Sequence, residues 1–295
     1  MEVPQFYLDK FAWIGQDSKP RQSYMAMVNF LDDMVGQVVT ALKNKGMWDN
    51  LLWATNSDNG GPIYQSGAAG ANNYPMRGGK MSNWQGGIRV NAFASGGLIP
   101  ESQRGTVNTG LMVVADWYST FCALAGVDPT DNRAAAANLP PIDSINMWPL
   151  ISGATTTSPR SEVVIGSDSS ECLFGNGTMV QALLRADGYK LIIGSLGQNI
   201  WTGPYYPNAT TKWDDIPYDC GIPPNNGTGC LFNIFDDPTE HHDLAASNPD
   251  IVTALMNRIN EHQATAFTPN RGKDDGSACK AALGTWKGFW GPFTA

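Results

Sequence analysis

The sequence predicts an α/β domain over residues 1–157 and a small antiparallel α+β subdomain over residues 158–295. In the first part, helical and strand-like apolar segments alternate along the chain, which is typical of α/β folds. In the second part, several short strand-like runs follow one another, and Asp187 and Gly188 separate two of them. An Asp-Gly pair between apolar runs indicates a hairpin and therefore an antiparallel sheet.

The first part begins with a predicted amphipathic helix at residues 24–45. Apolar side chains recur there at intervals of three and four residues, and Gly46 provides a stop signal. Residues 51–55 follow as a buried strand, which ends in the polar run 56–61. Ligand sites in open α/β sheets form beside the carboxyl ends of strands. This run is therefore the first candidate for a site.

A polar loop rich in Gly and Asn spans residues 62–87, and a loop of this length inside a compact domain is usually functional or disordered. Asn248 and Pro249 are typical of a helix start and predict one late helix. The other predicted elements are an apolar segment, two helices and four short strands, at residues 88–95, 111–125, 145–151, 162–167, 179–185, 189–193 and 231–235.

Composition excludes two classes of partner. The formal net charge of -8 leaves no basic stripe for the phosphates of a nucleic acid. No apolar run approaches the roughly 18 residues that a membrane-spanning helix needs. We therefore expect neither nucleic-acid binding nor a membrane span.

Glycosylation sequons and cysteines favour an oxidising compartment. Asn176, Asn208 and Asn226 each begin an Asn-x-Ser/Thr sequon, and Cys220 and Cys230 flank a loop that a disulfide could close. Cys122 lies on an apolar helical pattern and is predicted to be a buried thiol. The chain begins without a signal peptide, so we expect a longer, full-length form that is secreted or lysosomal.

Asp58 and Asn59, followed by two glycines, allow two interpretations. Asn-Gly is among the commonest turn dipeptides. Alternatively, the two side chains are hard oxygen ligands for a Ca²⁺-like or Mg²⁺-like ion at the strand end, where glycine lets the backbone approach closely. Lys80, in the Gly-rich loop, is either a solvated lysine or a point charge for an oxyanion such as sulfate.

The order of several motifs along nearly the whole chain resembles the C-terminal part of sulfatases, and most closely of the arylsulfatase B type. The resemblance implies an alkaline-phosphatase-like sulfatase fold, with residues 1–157 as the C-terminal half of a mixed-sheet catalytic domain. The motifs are Asp32–Gly36, Ser57–Gly61, Asn72–Lys80, Trp84–Arg89, Asp116–Thr120, Leu124–Val127 and Asp236–Glu240, with the Trp-rich end at Trp286 and Trp290.

The resemblance also implies roles for individual residues. Asp58 and Asn59 would be two of four side-chain ligands of one Ca²⁺ ion, and Lys80 would contact the sulfate oxygens. The implied activity is sulfuric-ester hydrolysis on an aryl sulfate or a sulfated carbohydrate. A divalent metal and a lysine suit this reaction, because negative charge must be stabilised on the sulfate oxygens as the ester bond breaks.

The chain departs from the family pattern at the catalytic centre. It has no Cys-x-Pro-Ser-Arg motif from which the family's formylglycine nucleophile is made, no paired N-terminal Asp ligands and no matching catalytic His. We therefore expect no catalytic residue in this chain, formylglycine only in a full-length form, and an inactive isolated chain. The alternative is a non-catalytic sulfatase-like protein that binds sulfated glycans or a partner. A smaller departure is Gln85, where the family commonly has Glu.

Overall fold

The computed structural model describes residues 2–15, 18–63, 69–166, 180–202, 218–223, 227–266, 276–289 and 291. Within these ranges the helices are α1 (Gln5–Lys10), α2 (Ala12–Gly15), α3 (Lys19–Asn44), α4 (Gln85–Ile88), α5 (Asp116–Ala125), α6 (Asn132–Ala136), α7 (Trp148–Ile151), α8 (Pro249–Ala264) and α9 (Gly276–Gly284). The strands are β1 (Trp53–Asn56), β2 (Ala92–Ser95), β3 (Glu162–Gly166), β4 (Val180–Arg185), β5 (Tyr189–Ile192), β6 (Ser195–Leu196), β7 (Tyr218–Asp219) and β8 (Cys230–Asn233).

Helix α3 begins five residues before the predicted start. Ser18 is its N-cap, and the Ser18 hydroxyl accepts a hydrogen bond from the Arg21 backbone N–H at 3.3 Å. Pro20 lies in the first turn, where its missing N–H costs nothing. The apolar periodicity alone could not reveal this start, because the first turn buries the polar Gln22.

Strand β1 follows α3 through a short 3-10 turn at Trp48–Asn50. It pairs antiparallel with β2, with Thr55 opposite Phe93. The predicted strand at 51–55 is confirmed with shifted bounds, but its residues are half-buried and not buried as predicted. The apolar segment at 88–95 contains β2, and residues 85–88 form the short helix α4. The predicted succession of helix, strand and polar loop is therefore present.

The predicted antiparallel sheet is confirmed. Four strands pair in the order β3-β4-β5-β8, and every pair is antiparallel. Asp187 and Gly188 form the predicted turn between β4 and β5. Gly188 has a φ of +90°, and a Cβ there would lie 2.6 Å from the Asn233 Oδ1 atom, so the turn requires glycine.

Helix α8 covers one face of this sheet and completes its core. Strand residues Leu183, Leu191 and Leu231 pack there against Leu255 and Ile259 of the helix. The helix begins at Pro249 as predicted, with Asn248 at the N-cap. The Asn248 side chain makes no capping hydrogen bond to the helix, however. The Asn248 amide instead donates to the Leu244 carbonyl at 3.0 Å and to the Ser247 hydroxyl.

The opposite face of the sheet packs on the first predicted part of the chain. Trp84, which directly precedes α4, is completely buried and lies in a cluster with Ile165, Ala182, Ile192 and Phe232. The indole thus joins the long polar loop to the antiparallel sheet. The boundary between residues 157 and 158 stays a prediction.

Helix α5 buries polar side chains, which corrects two predictions. The Asp116 carboxylate accepts hydrogen bonds from the Val113 and Ile145 backbone N–H groups, so the helix starts at residue 116 and not at 111. Thr120 and Ser119 are also buried on this side. Cys122 is consequently half-buried instead of lying in a core.

The predicted disulfide between Cys220 and Cys230 is present. Cys172 and the three sequon residues Asn176, Asn208 and Asn226 lie outside the described residues. No helix among the described residues is long and apolar enough to cross a membrane.

Strand β3 and helix α8 are also joined by an ion-pair cluster, which leads to a first prediction. The Glu162 carboxylate accepts hydrogen bonds from Arg258 at 2.6–3.0 Å and contacts the His262 Nε2 atom at 2.8 Å. These bonds, chiefly those from Arg258, hold the pKa of Glu162 below its usual value. The stabilisation is therefore present above the ordinary Glu pKa and is lost as pH falls through the lowered, folded-state pKa.

We expect Glu162→Gln to lower the free energy of unfolding by about 0.5–1 kcal/mol at pH 7, as for other partly exposed pairs. The difference should shrink below about pH 4, where carboxylates become protonated. Urea unfolding at both pH values measures it, with exposed Glu101→Gln as the control. A difference of equal size at both pH values would contradict this explanation.

Candidate metal and oxyanion site

The loop after β1 presents Asp58 and Asn59 at the surface. The Asp58 side chain is exposed, and its Oδ1 atom accepts hydrogen bonds from both the backbone N–H and the side-chain amide of Asn59 at 2.9 Å. The Ser57 hydroxyl donates to the Asn59 carbonyl at 2.8 Å. The two candidate ligands are therefore side by side in a loop that its own hydrogen bonds hold.

The same loop is bonded to the segment that contains Lys80. The Gly61 carbonyl accepts the Lys80 backbone N–H at 3.2 Å. Asn73 bridges the two segments, because its amide oxygen accepts the Gly61 N–H and its amide nitrogen donates to the Gly61 and Gly78 carbonyls. Gly60 donates to the Gly87 carbonyl at 2.8 Å. Backbone contacts thus hold Lys80 beside the strand end.

Glycines make this close approach possible. A Cβ at Gly60 would lie 1.7 Å from the Gly86 carbonyl oxygen, and one at Gly79 would lie 2.5 Å from the Gly61 carbonyl oxygen. A Cβ at Gly86 would lie 2.3 Å from the Gly78 carbonyl oxygen. The obstructing atoms are backbone atoms, so no side-chain rotation relieves these clashes. The glycine pairs in the sequence are therefore a packing requirement.

A buried ion pair fixes the Lys80 segment from behind. Lys190 of β5 and Glu240 are both completely buried, and the Lys190 Nζ atom lies 2.6 Å from a Glu240 carboxylate oxygen. The other carboxylate oxygen accepts the Gln85 backbone N–H at 2.7 Å. The Gln85 side-chain oxygen lies 3.4 Å from Lys190. Glu240 thereby ties the start of α4 to the antiparallel sheet.

Arg77 adds a second link to the same cluster. Its guanidinium donates to the Glu240 backbone carbonyl at 3.2 Å and to the Asn199 side-chain oxygen. It also lies 3.6 Å above the Trp84 ring and 4.5 Å from the centre of the Trp201 ring. Burial lowers the pKa of Arg77 from its usual value, and the Glu240 carboxylate opposes this shift.

The structure thus brings together the loops of the three predicted site residues, Asp58, Asn59 and Lys80. The sequence interpretation missed Arg77, Lys190 and Glu240, which position these loops. Arg77 and Glu240 lie within the motifs quoted for the family resemblance, but nothing in the pattern marks Lys190 as their partner. His241 is exposed and stacks on Trp201, in keeping with a structural or surface role.

The donor atoms present fit one side of a calcium site. Asp58 and Asn59 offer hard oxygens of the kind that Ca²⁺ prefers, whereas a complete site needs six to eight. Across the described ranges, no group of three or more His, Cys, Asp or Glu side chains could hold a metal. Asp58 and Asn59 are therefore two neighbouring candidate ligands within the described residues.

Comparison with known proteins shows which family this part of the chain resembles. Residues 2–127 match the family model for Sulfatase. Arylsulfatase J of Mus musculus is 30% identical over 99% of this chain and 47% of its own length. Residues 2–127 belong to the sulfatase family. The arylsulfatase B type stays a prediction.

Two further sulfatases extend the likeness. N-acetylgalactosamine-6-sulfatase of Sus scrofa is 24% identical over 93% of this chain and 48% of its own length. The structure of PsFucS1 sulfatase from Pseudoalteromonas sp. superposes with a TM-score of 0.58 at 26% identity, and covers 83% of this chain and 42% of that one. The predicted alkaline-phosphatase-like sulfatase fold is confirmed. The chain spans about half the length of the curated sulfatases that it matches.

The glycine contacts of this candidate site generate a second prediction. We expect Gly86→Ala to lower the free energy of unfolding by about 1–3 kcal/mol, as overpacking of a tight contact does. Gly36→Ala is the matched control, because its Cβ would meet nothing within 4 Å and the residue lies inside α3. That change should stabilise the chain by up to about 1 kcal/mol through helix propensity. Urea unfolding of both variants measures the contrast, and equal effects would contradict it.

The buried ion pair between Lys190 and Glu240 generates a third prediction. Glu240→Gln leaves the Lys190 charge buried without a carboxylate, so we expect a loss of about 3–5 kcal/mol in the free energy of unfolding. Lys190→Met combined with Glu240→Gln removes that unpaired charge and should recover part of the loss. Urea unfolding of the single and double variants tests this. A double variant less stable than Glu240→Gln would show that the Lys190 charge is not the cause.

Proposed function

We propose that this chain supplies the calcium-ligand and lysine portion of a sulfuric-ester hydrolase. The observation that carries the proposal is the bonding of the Asp58–Asn59 loop to the Lys80 segment through Gly61 and Asn73. Hard oxygen ligands and a cationic side chain are thereby held in adjoining segments. The sulfatase match of residues 2–127 includes all three candidate site residues.

Each residue has a defined role in this proposal. Asp58 and Asn59 would hold Ca²⁺ through their side-chain oxygens, since the Asn59 amide nitrogen donates to Asp58 and its amide oxygen would be the atom that binds the ion. The ion would supply positive charge for the sulfate oxygens when bound. Lys80 would place an ammonium group on the same oxygens, and this charge becomes more favourable as the ester bond breaks.

Turnover is assigned to a longer form of the protein. A nucleophile is needed for covalent catalysis, and we expect the formylglycine, the catalytic His and the remaining calcium ligands to come from outside this chain. We propose an aryl sulfate or a sulfated carbohydrate as substrate, because arylsulfatase J and N-acetylgalactosamine-6-sulfatase carry these two substrate classes in their names.

We also propose that the longer form is secreted or lysosomal. The Cys220–Cys230 disulfide supports this location, because such bonds persist in oxidising compartments. Asn176, Asn208 and Asn226 are the proposed glycosylation sites.

A chimera tests the function. This chain would replace the matching half of mouse arylsulfatase J, and hydrolysis of 4-nitrophenyl sulfate would be followed. We expect Lys80→Ala to lower kcat/KM by about 10²–10³-fold, as loss of one oxyanion donor does. Asp58→Ala should weaken Ca²⁺ binding, and so should lower activity and raise the Ca²⁺ concentration that the activity needs. Lys45→Ala, an exposed lysine just after α3, is the control and should leave activity unchanged.

Two outcomes count against the proposal. A folded, inactive chimera would contradict it, and retained binding of a sulfated glycan in that case would favour the non-catalytic alternative. An active chimera in which Lys80→Ala matches the parent would contradict the role of Lys80.

A further inference from the structure

Asn59 and Gly60 form a dipeptide in which the asparagine side chain is chemically labile. In an Asn-Gly pair, the backbone nitrogen of the glycine can attack the side-chain carbonyl carbon of the asparagine, because no Cβ obstructs the approach. The two residues lie in the loop that follows β1. The pair is therefore a candidate for spontaneous deamidation, a covalent modification that needs no enzyme.

Packing leaves no alternative to glycine at position 60. Gly60 is buried, and a Cβ there would lie 1.7 Å from the Gly86 carbonyl oxygen and 2.9 Å from the Gly87 Cα atom. Both obstructing atoms belong to the backbone, so any side chain would push the loop away from the segment that carries Lys80. The fold thus requires the residue that makes Asn59 labile.

The folded loop holds the peptide group between Asn59 and Gly60 at both ends. The Asn59 carbonyl oxygen accepts the Ser57 hydroxyl at 2.8 Å. The Gly60 N–H donates to the Gly87 carbonyl, also at 2.8 Å. The Asn59 side-chain amide donates in turn to the Asp58 Oδ1 atom at 2.9 Å. Attack requires this peptide group to rotate until the Gly60 nitrogen faces the Asn59 side chain, and these three bonds oppose that rotation.

We propose that Asn59 is a latent modification site, which the folded loop keeps closed and which local opening exposes. On opening, the Gly60 nitrogen loses its proton and bonds to the side-chain carbonyl carbon of Asn59. The bond from that carbon to the side-chain nitrogen breaks, and ammonia leaves with the proton. Water then opens the cyclic imide at either of its carbonyl groups and gives aspartate or isoaspartate. A water molecule is consumed, an ammonia molecule is released, and no oxidant or reductant takes part.

Either product changes the loop. Aspartate at position 59 loses the N–H group that now donates to Asp58 and places a second negative charge beside that carboxylate. Isoaspartate adds a carbon atom to the main chain and so displaces Gly60 from its contact with the Gly87 carbonyl. Both products therefore loosen the loop from the segment that carries Lys80. The modification is chemistry of the chain itself and does not depend on the proposed hydrolysis.

Peptide mapping by mass spectrometry tests the site on the whole chain. The chain is incubated at mildly alkaline pH in buffer and in urea, and Asn59 is followed in the tryptic peptide of residues 46–77. We expect deamidation to be at least about tenfold slower in the folded chain than in urea, because it then requires local opening. Asn50 lies in the same peptide but precedes the bulky Leu51, so it is the internal control and should stay unmodified in both conditions.

A variant separates the effect of the folded loop from the intrinsic chemistry. Ser57→Ala removes the hydroxyl bond to the Asn59 carbonyl. Deamidation of the folded variant should be about 2–10-fold faster than in the parent, as expected for loss of one hydrogen bond, and the rates in urea should be equal. Ser247→Ala removes a surface hydroxyl bond in the turn before α8 and should leave both rates unchanged.

Three results would overturn the proposal. Equal rates at Asn59 in buffer and in urea would show that the folded loop does not protect the side chain. Absence of deamidation at Asn59 in urea would show that the site is not labile. A folded Ser57→Ala chain that deamidates at the parent rate would show that the hydroxyl bond does not hold the peptide group.

Discussion

The buried contact between Glu240 and Lys190 is the interaction on which the candidate site depends. One Glu240 carboxylate oxygen binds Lys190, the other accepts the Gln85 N–H, and the Glu240 backbone carbonyl accepts Arg77. A buried charge is strongly destabilising when its partner is missing. These contacts fix the sheet that carries Lys190 against the segment that carries Arg77 and Gln85.

This dependence explains how a polar, glycine-rich loop becomes a fixed structure. Trp84 packs its indole into the sheet while the Arg77 guanidinium lies over that indole, so apolar and charged contacts act on the same segment. The close contact between Gly60 and the Gly86 carbonyl then positions the Asp58 loop against this segment. Gln85 contributes a neutral oxygen beside Lys190, whereas a carboxylate there would add a second buried negative charge to the cluster.

The sequence predicts local features well and distant pairings poorly. The turn at Gly188 and the start of α8 at Pro249 follow from residues adjacent in the chain, whose effects are local. The early start of α3 was missed because its cap, Ser18, precedes the apolar pattern. The pairing of Lys190 with Glu240 joins positions 50 residues apart, and no periodicity indicates it. The predicted burial of Cys122 was wrong because α5 directs its polar side inward, which an apolar pattern cannot show.

The two sides of the candidate site therefore differ physically. Behind Lys80, buried charges, aromatic rings and backbone contacts fix the segment. In front, Asp58 is exposed at the end of a strand that, within the described residues, has one neighbour. A metal ion needs ligands on all sides, and a two-stranded sheet needs further strands to be stable. The buried contacts fix where the candidate ligands and Lys80 lie, and the exposed side leaves the Asp58 carboxylate open to solvent.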